Sequence, residues 1–405
     1  MKSNIDTDHT LIIDKLERSL KLYGWNYISS FLPKGSYLVG GYIRDIILGR
    51  VSGEVDVDIV VPLNAYEIGK RIAVNTESKL IILDKKREVV RIFFNNISID
   101  IANQNSSTIE GDLRNRDFSI NSIAFLFDKK CLYDPLNGLK DLQFSLLRSF
   151  SEKTLLDDPL RILRSFRFVS ELHFQIDLEL INFIKKNKEK LYLAASERIH
   201  DEINKIVSGA NALRAIILLK KFNIFGSDNL YEDSFFLNLK EMNYAELNQK
   251  EKEAFLPLFF VAQILDEVSL KKLKFSKAVI AKTKLLRKWH YFLKKNNIAH
   301  LNELDRFKLH QELETFLPSF IFYLHKNLRS DWLKRWRDNE DKLFHPSNLL
   351  NGDIIKKNLK IKDGPILGDL LQYLSKELAF KRLNNFDEAI FKAKQWIEQN
   401  APKCD

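Results

Sequence analysis

Between Tyr37 and Ile59 the chain sets a short apolar run, a Gly-Gly pair, a helical stretch and a second apolar strand in close succession: Tyr37-Leu38-Val39-Gly40-Gly41-Tyr42-Ile43-Arg44-Asp45, Leu48-Gly49-Arg50 and Val55-Asp56-Val57-Asp58-Ile59. A strand has a side-chain period of two. Asp56 and Asp58 therefore project from one face, while Val55, Val57 and Ile59 fill the other and carry the core. Two carboxylates held that close repel each other unless a cation sits between them. That is the demand of a Mg²⁺ site for phosphoryl or nucleotidyl transfer, where hard oxygen ligands hold metals about 3.5–4 Å apart. Gly40 and Gly41 have no Cβ, so backbone N–H groups there can approach a phosphate, and the planar fork of Arg44 matches phosphate oxygens. A lone Asp-x-Asp also occurs at solvated strand ends; the Gly pair and Arg44 upstream turn the reading toward metal-assisted chemistry.

The rest of the chain divides in two by pattern. Leu11–Tyr23 reads as an amphipathic helix. From Ser36 to about Arg148 short β-like runs alternate with helical stretches: Leu80–Leu83, Val89–Phe94 and Ile97–Ile101, with a helix expected after Asp117. Beyond about Phe150 helical periodicity dominates, through Pro159–Leu172, Leu178–Lys188, Ser196–Val207, Ala210–Lys221, Glu251–Ile264 and Ala278–Asn296, with a break near Pro346–Asn351. The fold class is α+β: an N-terminal head with a mixed or antiparallel sheet, followed by an all-helical remainder. With 405 residues, two or three domains are expected. A net charge of +10 favours a polyanionic partner. Cys131 and Cys404 give neither a disulfide framework nor metal spacing, which suits a reducing cytoplasm. No apolar stretch is long enough to span a membrane, and Met1–His9 lacks a signal-peptide core.

Three further clusters stand out. Asn115-Arg116-Asp117 precedes an apolar run and, alone, reads as a capping cluster. In Asp157-Asp158-Pro159-Leu160-Arg161-Ile162-Leu163-Arg164-Ser165-Phe166-Arg167-Phe168, Asp158 suits an N-cap and Pro159 a first turn. Arg161, Arg164 and Arg167 recur every three residues along one side of that helix, among apolar neighbours. In Ser196-Glu197-Arg198-Ile199-His200-Asp201-Glu202-Ile203, Ser196 looks like an N-cap. His200-Asp201 invites a phosphohydrolase reading, but the other histidines lack the spacing for it. Asp100 is a candidate third carboxylate and equally a strand-end Asp. Trp289, Trp332 and Trp336 lie in aromatic-basic stretches and read first as core, with RNA stacking as the alternative.

In this order, LVGGYIRDIILGR…DVD (Leu38 to Asp58), RDFSINSIA (Arg116 to Ala124), DPLNG (Asp134 to Gly138), DDPLRILRSFRF (Asp157 to Phe168) and SERIHDEI (Ser196 to Ile203) resemble the class II, bacterial and eukaryotic-type, CCA tRNA nucleotidyltransferase / poly(A) polymerase family. Asn351-Gly352-Asp353-Ile354 and Asp363–Gly368 are similar to that family's tail motif. The resemblance implies a catalytic head over residues 1–150, a neck carrying the base-reading helix over 151–210, a body over 211–345 and a tRNA-binding tail over 346–405. It implies that Asp56 and Asp58 hold Mg²⁺ and activate the tRNA 3′-hydroxyl. Gly40, Gly41, Arg44 and Arg116 would receive the nucleotide, and Asp158 and Arg161 would read its base. Arg164 and Arg167 would orient Asp158 or meet phosphates. The substrates would be the tRNA 3′ end, CTP and, for some members, ATP.

Three departures bear on the subtype. Asp157 stands where the family usually has Glu. Asn115 replaces the first Arg of the usual Arg-Arg-Asp. The connection from Ala102 to Gly111 is very short, where CCA-adding relatives carry a longer flexible loop associated with switching from CTP to ATP. The short form resembles the CC-adding branch, which leaves the last A to a separate A-adding enzyme. Full CCA addition, A-addition or poly(A) synthesis, and a catalytically inactive RNA-binding relative are the alternatives. Another two-metal transferase acting on a protein or antibiotic fits less well, because it needs neither Asp158 and Arg161 nor a basic helical body.

Overall fold

The computed structural model describes residues 7–51, 53–94, 97–226, 244–361 and 363–400. Cys404 lies outside them. The chain forms two compact units, Met1–Leu218 and Leu219–Asp405.

The first unit opens with α1 (His9–Leu22) and α2 (Trp25–Ser29). Its sheet comprises β1 (Tyr37–Val39), β2 (Val55–Val61), β3 (Leu80–Asp84), β4 (Val89–Phe94), β5 (Ile97–Asn103), β6 (Ala124–Leu126) and β7 (Cys131–Tyr133). The strand order is β3-β4-β5-β2-β1-β6-β7. Only the β2–β5 pairing is parallel in this sheet, which makes it mixed. Leu38, Val57, Ile59, Ile99 and Ile101 are buried, so the central strands carry the core on the face away from the aspartates. Helices α3 (Gly41–Ile47) and α4 (Ala65–Asn75) follow β1 and β2. A Cβ at Gly69 on α4 would come within 2.6 Å of Val90 Cγ2, so glycine lets that helix lie close on the sheet. α5 (Ile109–Arg114) and α6 (Gly138–Gln143) complete the head. After them come a short parallel pair, β8 (Leu146–Leu147) and β9 (Gln175–Ile176), and α7 (Glu152–Asp157), α8 (Arg161–Leu172), α9 (Leu178–Asn187), α10 (Ser196–Ser208) and α11 (Ala212–Lys221).

The helix expected after Asp117 is instead a single 3₁₀ turn, Ser119–Asn121, followed by β6. Ala124, Phe125 and Leu126 are all buried and pair with β1, Leu126 opposite Tyr37. A short apolar run does not distinguish a buried strand from a helix, and here pairing with the sheet decided it. Two caps also differ. Ala195 rather than Ser196 is the N-cap of α10. α8 begins at Arg161, with Leu160 as its N-cap, while the Asp158 carboxylate accepts from the Leu160 N–H at 3.2 Å.

Among its described residues the second unit is helical wherever it is regular: α12 (Gln249–Ile264), α13 (Glu267–Lys272), α14 (Lys277–Lys295), α15 (Glu303–Leu313), α16 (Leu317–Phe320), α17 (Lys326–Arg337), α18 (Gly352–Leu359), α19 (Pro365–Ala379) and α20 (Phe386–Asn400). Asn248 and Glu251 form a capping box at the start of α12. One apolar cluster centres on Leu286, Trp289, Phe307, Leu313, Phe320 and Phe344, and another on Ile355, Leu370, Leu374, Leu383 and Ala389. Trp289 is buried in the first, and Trp332 and Trp336 pack against it. The core reading of these rings therefore holds. Among the described residues no helix is long and apolar enough to cross a membrane.

Candidate active site

The turn between β1 and α3 is shaped by Gly40, whose φ of 83° favours glycine. A Cβ there would meet Asp58 Oδ2 at 2.8 Å and Arg116 Nη1 at 2.9 Å. The missing side chain thus makes room for the aspartate and arginine as well as for an incoming group. Along β2, Val55 and Val57 are buried, Asp56 is exposed and Asp58 half-buried, so the aspartates share the open face.

Asp58 sits opposite Asp100 on β5. Asp100 takes a bidentate pair from Arg91 at 2.6 and 2.7 Å. Among the described residues Asp58 has Arg116 as its ion-pair partner, at 3.9 Å. Burial pushes the Asp58 carboxyl above its usual range, and Asp100 and Asp56 push it the same way against Arg116. A carboxylate left this poorly compensated, with a second one two residues away, is the donor set a hard cation relieves. Mg²⁺ commonly takes one or two carboxylates and completes its shell with substrate phosphates and water. Asp56 and Asp58 fit that role. Among the described residues no group of three or more His, Cys, Asp or Glu is placed to hold a metal.

A cavity of about 600 Å³ lies above this face. Gly41, Arg44, Asp56, Asp58, Arg116, Arg164 and Arg167 all line it. Arg44 is held in place: its Nε and Nη2 donate to Asp45 at 2.9 and 2.8 Å, and its Nη1 donates to Asn121 at 2.7 Å. Arg164 pairs with buried Asp117 at 2.6 Å. Burial pushes the Asp117 carboxyl up, but Arg164, the Asn121 amide, Arg161 and the Phe118 N–H together outweigh it and hold it below the usual range. Arg167 pairs with Glu202 of α10 at 2.9 Å. The Phe168 ring lies under both Arg44 and Arg167, at 5.1 and 4.8 Å.

Asp158 and Arg161 do not line that cavity. Arg198 of α10, rather than Arg164 or Arg167, holds the Asp158 carboxylate, at 2.8 and 3.3 Å. Arg161 Nη1 donates to the carbonyls of Thr154 at 2.9 Å and Asn115 at 3.3 Å. Sequence reasoning did not single out Asn121, Asp45, Phe168 or Arg198 as site residues. The usable signal was position: each lies inside a quoted motif, and Asp45 and Phe168 share a helix with a predicted residue.

The connection after β5 is a pinned turn. Asn103 accepts from Ala65 N–H at 2.9 Å and donates to Glu88 at 2.7 Å. Gln104 N–H donates to the Val61 carbonyl at 2.9 Å, and Asn105 N–H to the buried Asp112 carboxylate at 3.3 Å. Thr108 caps α5 through Gly111 N–H.

Models of known families match in order along the chain: a poly A polymerase head domain over residues 36–148, an RNA and SrmB-binding site of polymerase A over 173–227, and tRNA nucleotidyltransferase domain 2 over 247–393. A CC-adding tRNA nucleotidyltransferase of Synechocystis sp. is 27% identical, covering 90% of this chain and 94% of the relative. A CCA-adding enzyme of Ligilactobacillus salivarius is also 27% identical, over 90% and 93%. The solved CCA-adding enzyme in apo form I shares the fold, with a TM-score of 0.74 at 22% identity over 98% of both chains. The fold and these relatives define a tRNA nucleotidyltransferase, an enzyme. The chain belongs to the class II CCA tRNA nucleotidyltransferase / poly(A) polymerase family.

Proposed function

We propose that this enzyme adds cytidylate from CTP to the 3′ end of tRNA in the cytoplasm, releases pyrophosphate, and stops after two additions. The 3′-hydroxyl oxygen bonds to the α-phosphorus as the bond to the β-phosphate bridge breaks. Asp56 and Asp58 would hold Mg²⁺, which when bound would supply Lewis-acid polarisation of a phosphoryl oxygen. The Gly40–Gly41 turn lets the triphosphate approach the backbone, and Arg44, Arg116, Arg164 and Arg167 offset its charge. Asp158 and Arg161 read the base. Cytosine and adenine each present an amine donor beside a ring-nitrogen acceptor, which a carboxylate and a guanidinium complement. Uracil and guanine would leave those groups unpaired. The anchoring of Arg161 by two carbonyls supports a fixed reading position. Under this reading residues 1–150 do the chemistry, 151–210 read the base, and 211–345 and 346–405 hold tRNA.

The observation that carries the stop after two additions is the pinned Ala102–Gly111 connection. Moving from cytosine to adenine requires the pocket to enlarge or reorient. A turn fixed at Asn103, Gln104 and Asn105 leaves no slack chain to drive that change. The name of the Synechocystis relative agrees, but the Ligilactobacillus enzyme at equal identity keeps full CCA addition as the second reading. Labelled CTP and ATP offered to tRNAs lacking CCA, ending in C and ending in CC will separate them. The first two should gain C, and the third should gain nothing from ATP.

A further inference from the structure

Asn121 is only 6% exposed and sits on the 3₁₀ turn between the Gly-Gly helix α3 and the neck helix α8. Its Oδ1 accepts from Arg44 Nη1 at 2.7 Å, and its Nδ2 donates to Asp117 Oδ1 at 3.0 Å. The amide orientation is fixed by chemistry: oxygen toward the cation, nitrogen toward the anion. Asp117 continues to Arg164 on α8, and Arg44 continues to Asp45 on α3. The result is an alternating chain of charges, Asp45, Arg44, Asn121, Asp117 and Arg164, with one neutral, polarised link at its centre. Phe168 of α8 closes the other side beneath the Arg44 guanidinium.

Three of the five Arg44 N–H groups are already used, two on Asp45 and one on Asn121. The directions of the remaining two are set by those partners. Loss of the Asn121 bond frees the end of the fork that Asp45 does not hold. It also removes from Asp117 one of the bonds that keep it ionised beside Arg164.

Resting on the function proposed above, we propose that Asn121 is a positioning residue that couples the phosphate-facing Arg44 to the Asp117–Arg164 pair on the base-reading helix. Nucleotide affinity at the Gly-Gly turn and the setting of α8 then depend on one amide.

The test uses the full chain with Asn121→Ala, Asn121→Asp, Arg44→Ala and the Arg44→Ala/Asn121→Ala double variant. Each is checked for a wild-type circular dichroism spectrum and melting temperature. Asn121→Ala should raise the KM for CTP about tenfold, the scale of one hydrogen bond to a charged group, with kcat changed about threefold or less. Asn121→Asp keeps the shape but sets a second carboxylate against Asp117, so it should fall at least as far. The double variant should be no worse than Arg44→Ala within about twofold, because both remove the same interaction. Multiplying effects, or a folded Asn121→Asp with wild-type KM and kcat, would overturn the coupling. CTP binding by calorimetry is read alongside. A wild type that binds CTP but extends no tRNA defeats the functional reading and leaves the coupling to be decided on Kd. A wild type that binds no CTP defeats both.

Discussion

Asp58 in the first unit is a half-buried carboxylate and Glu377 in the second a buried one, and their surroundings are opposite. Glu377 is met by Arg382 at 2.7 Å and Lys392 at 2.6 Å. Burial pushes its carboxyl up, but these two cations outweigh burial and hold it below its usual range. Asp58 has one guanidinium at 3.9 Å and two carboxylate neighbours, and it is held above its usual range. A structural carboxylate is neutralised by the protein itself, whereas Asp58 is left for something else to neutralise. That contrast marks a functional group more sharply than burial alone. The same division runs through the first unit, where Asp100 and Asp117 have close arginine partners and Asp58 does not.

The contrast is broken most severely if Asp58 proves dispensable. Asp56→Ala and Asp58→Ala should each cut nucleotide addition by at least about 10³-fold, because they remove metal ligands and little packing. Melting should stay close to the wild-type temperature, since Asp56 is exposed and Asp58 half-buried and neither carries core packing. Near-normal turnover in either purified variant with Mg²⁺ would remove the metal reading.

Glu377→Ala should do the reverse: it should leave nucleotide chemistry in place and destabilise the second unit by about 1–2 kcal/mol, since it removes the buried acceptor of an ion-pair network whose cations are partly exposed. Tryptophan fluorescence follows it well. Trp289, Trp332, Trp336 and Trp396 belong to the second unit and Trp25 to the first. An unfolding midpoint unchanged in urea would show that the network around Arg382 contributes nothing measurable.

A further effect, small per pH unit, is read in the second unit by pH. His310 is buried between Trp332 and Phe344, and neither ring nitrogen has a hydrogen-bond partner among the described residues. Burial, aided by Arg306 and Arg335, pushes its pKa from 6.5 down to about 3. Between those values the unfolded chain binds a proton that the folded one does not. Stability is therefore full above about pH 6.5 and falls as the pH drops, by about 1.4 kcal/mol per pH unit from this residue. Replacing it by phenylalanine should flatten the acid limb of the fluorescence-detected stability by that slope. An unchanged limb would mean that His310 is hydrated or paired in solution.

Much of the head was legible because its chemistry is local in sequence. The Val55–Ile59 alternation fixed which face Asp56 and Asp58 share, and the strands Val89–Phe94 and Ile97–Ile101 fall where the pattern put them. What escaped depends on contacts between segments far apart. The apolar run after Asp117 looked helical because only its pairing with β1 reveals a strand. Asp100 was ambiguous until Arg91 came beside it from β4. The partner of Asp158 is forty residues away on α10, beyond the reach of any periodicity argument. In the second unit helical spacing was readable, but the burial of His310 and the pairing of Glu377 with Lys392 were not, since they arise from how helices pack.

The pinned turn after β5 makes the boldest functional claim, that the pocket cannot pass from cytidine to adenosine. The intact mass of a tRNA lacking CCA, after incubation with the wild-type chain, CTP and ATP together, tests it directly. Two added cytidylates and nothing further is the predicted product; a complete CCA end made by this chain alone would contradict it.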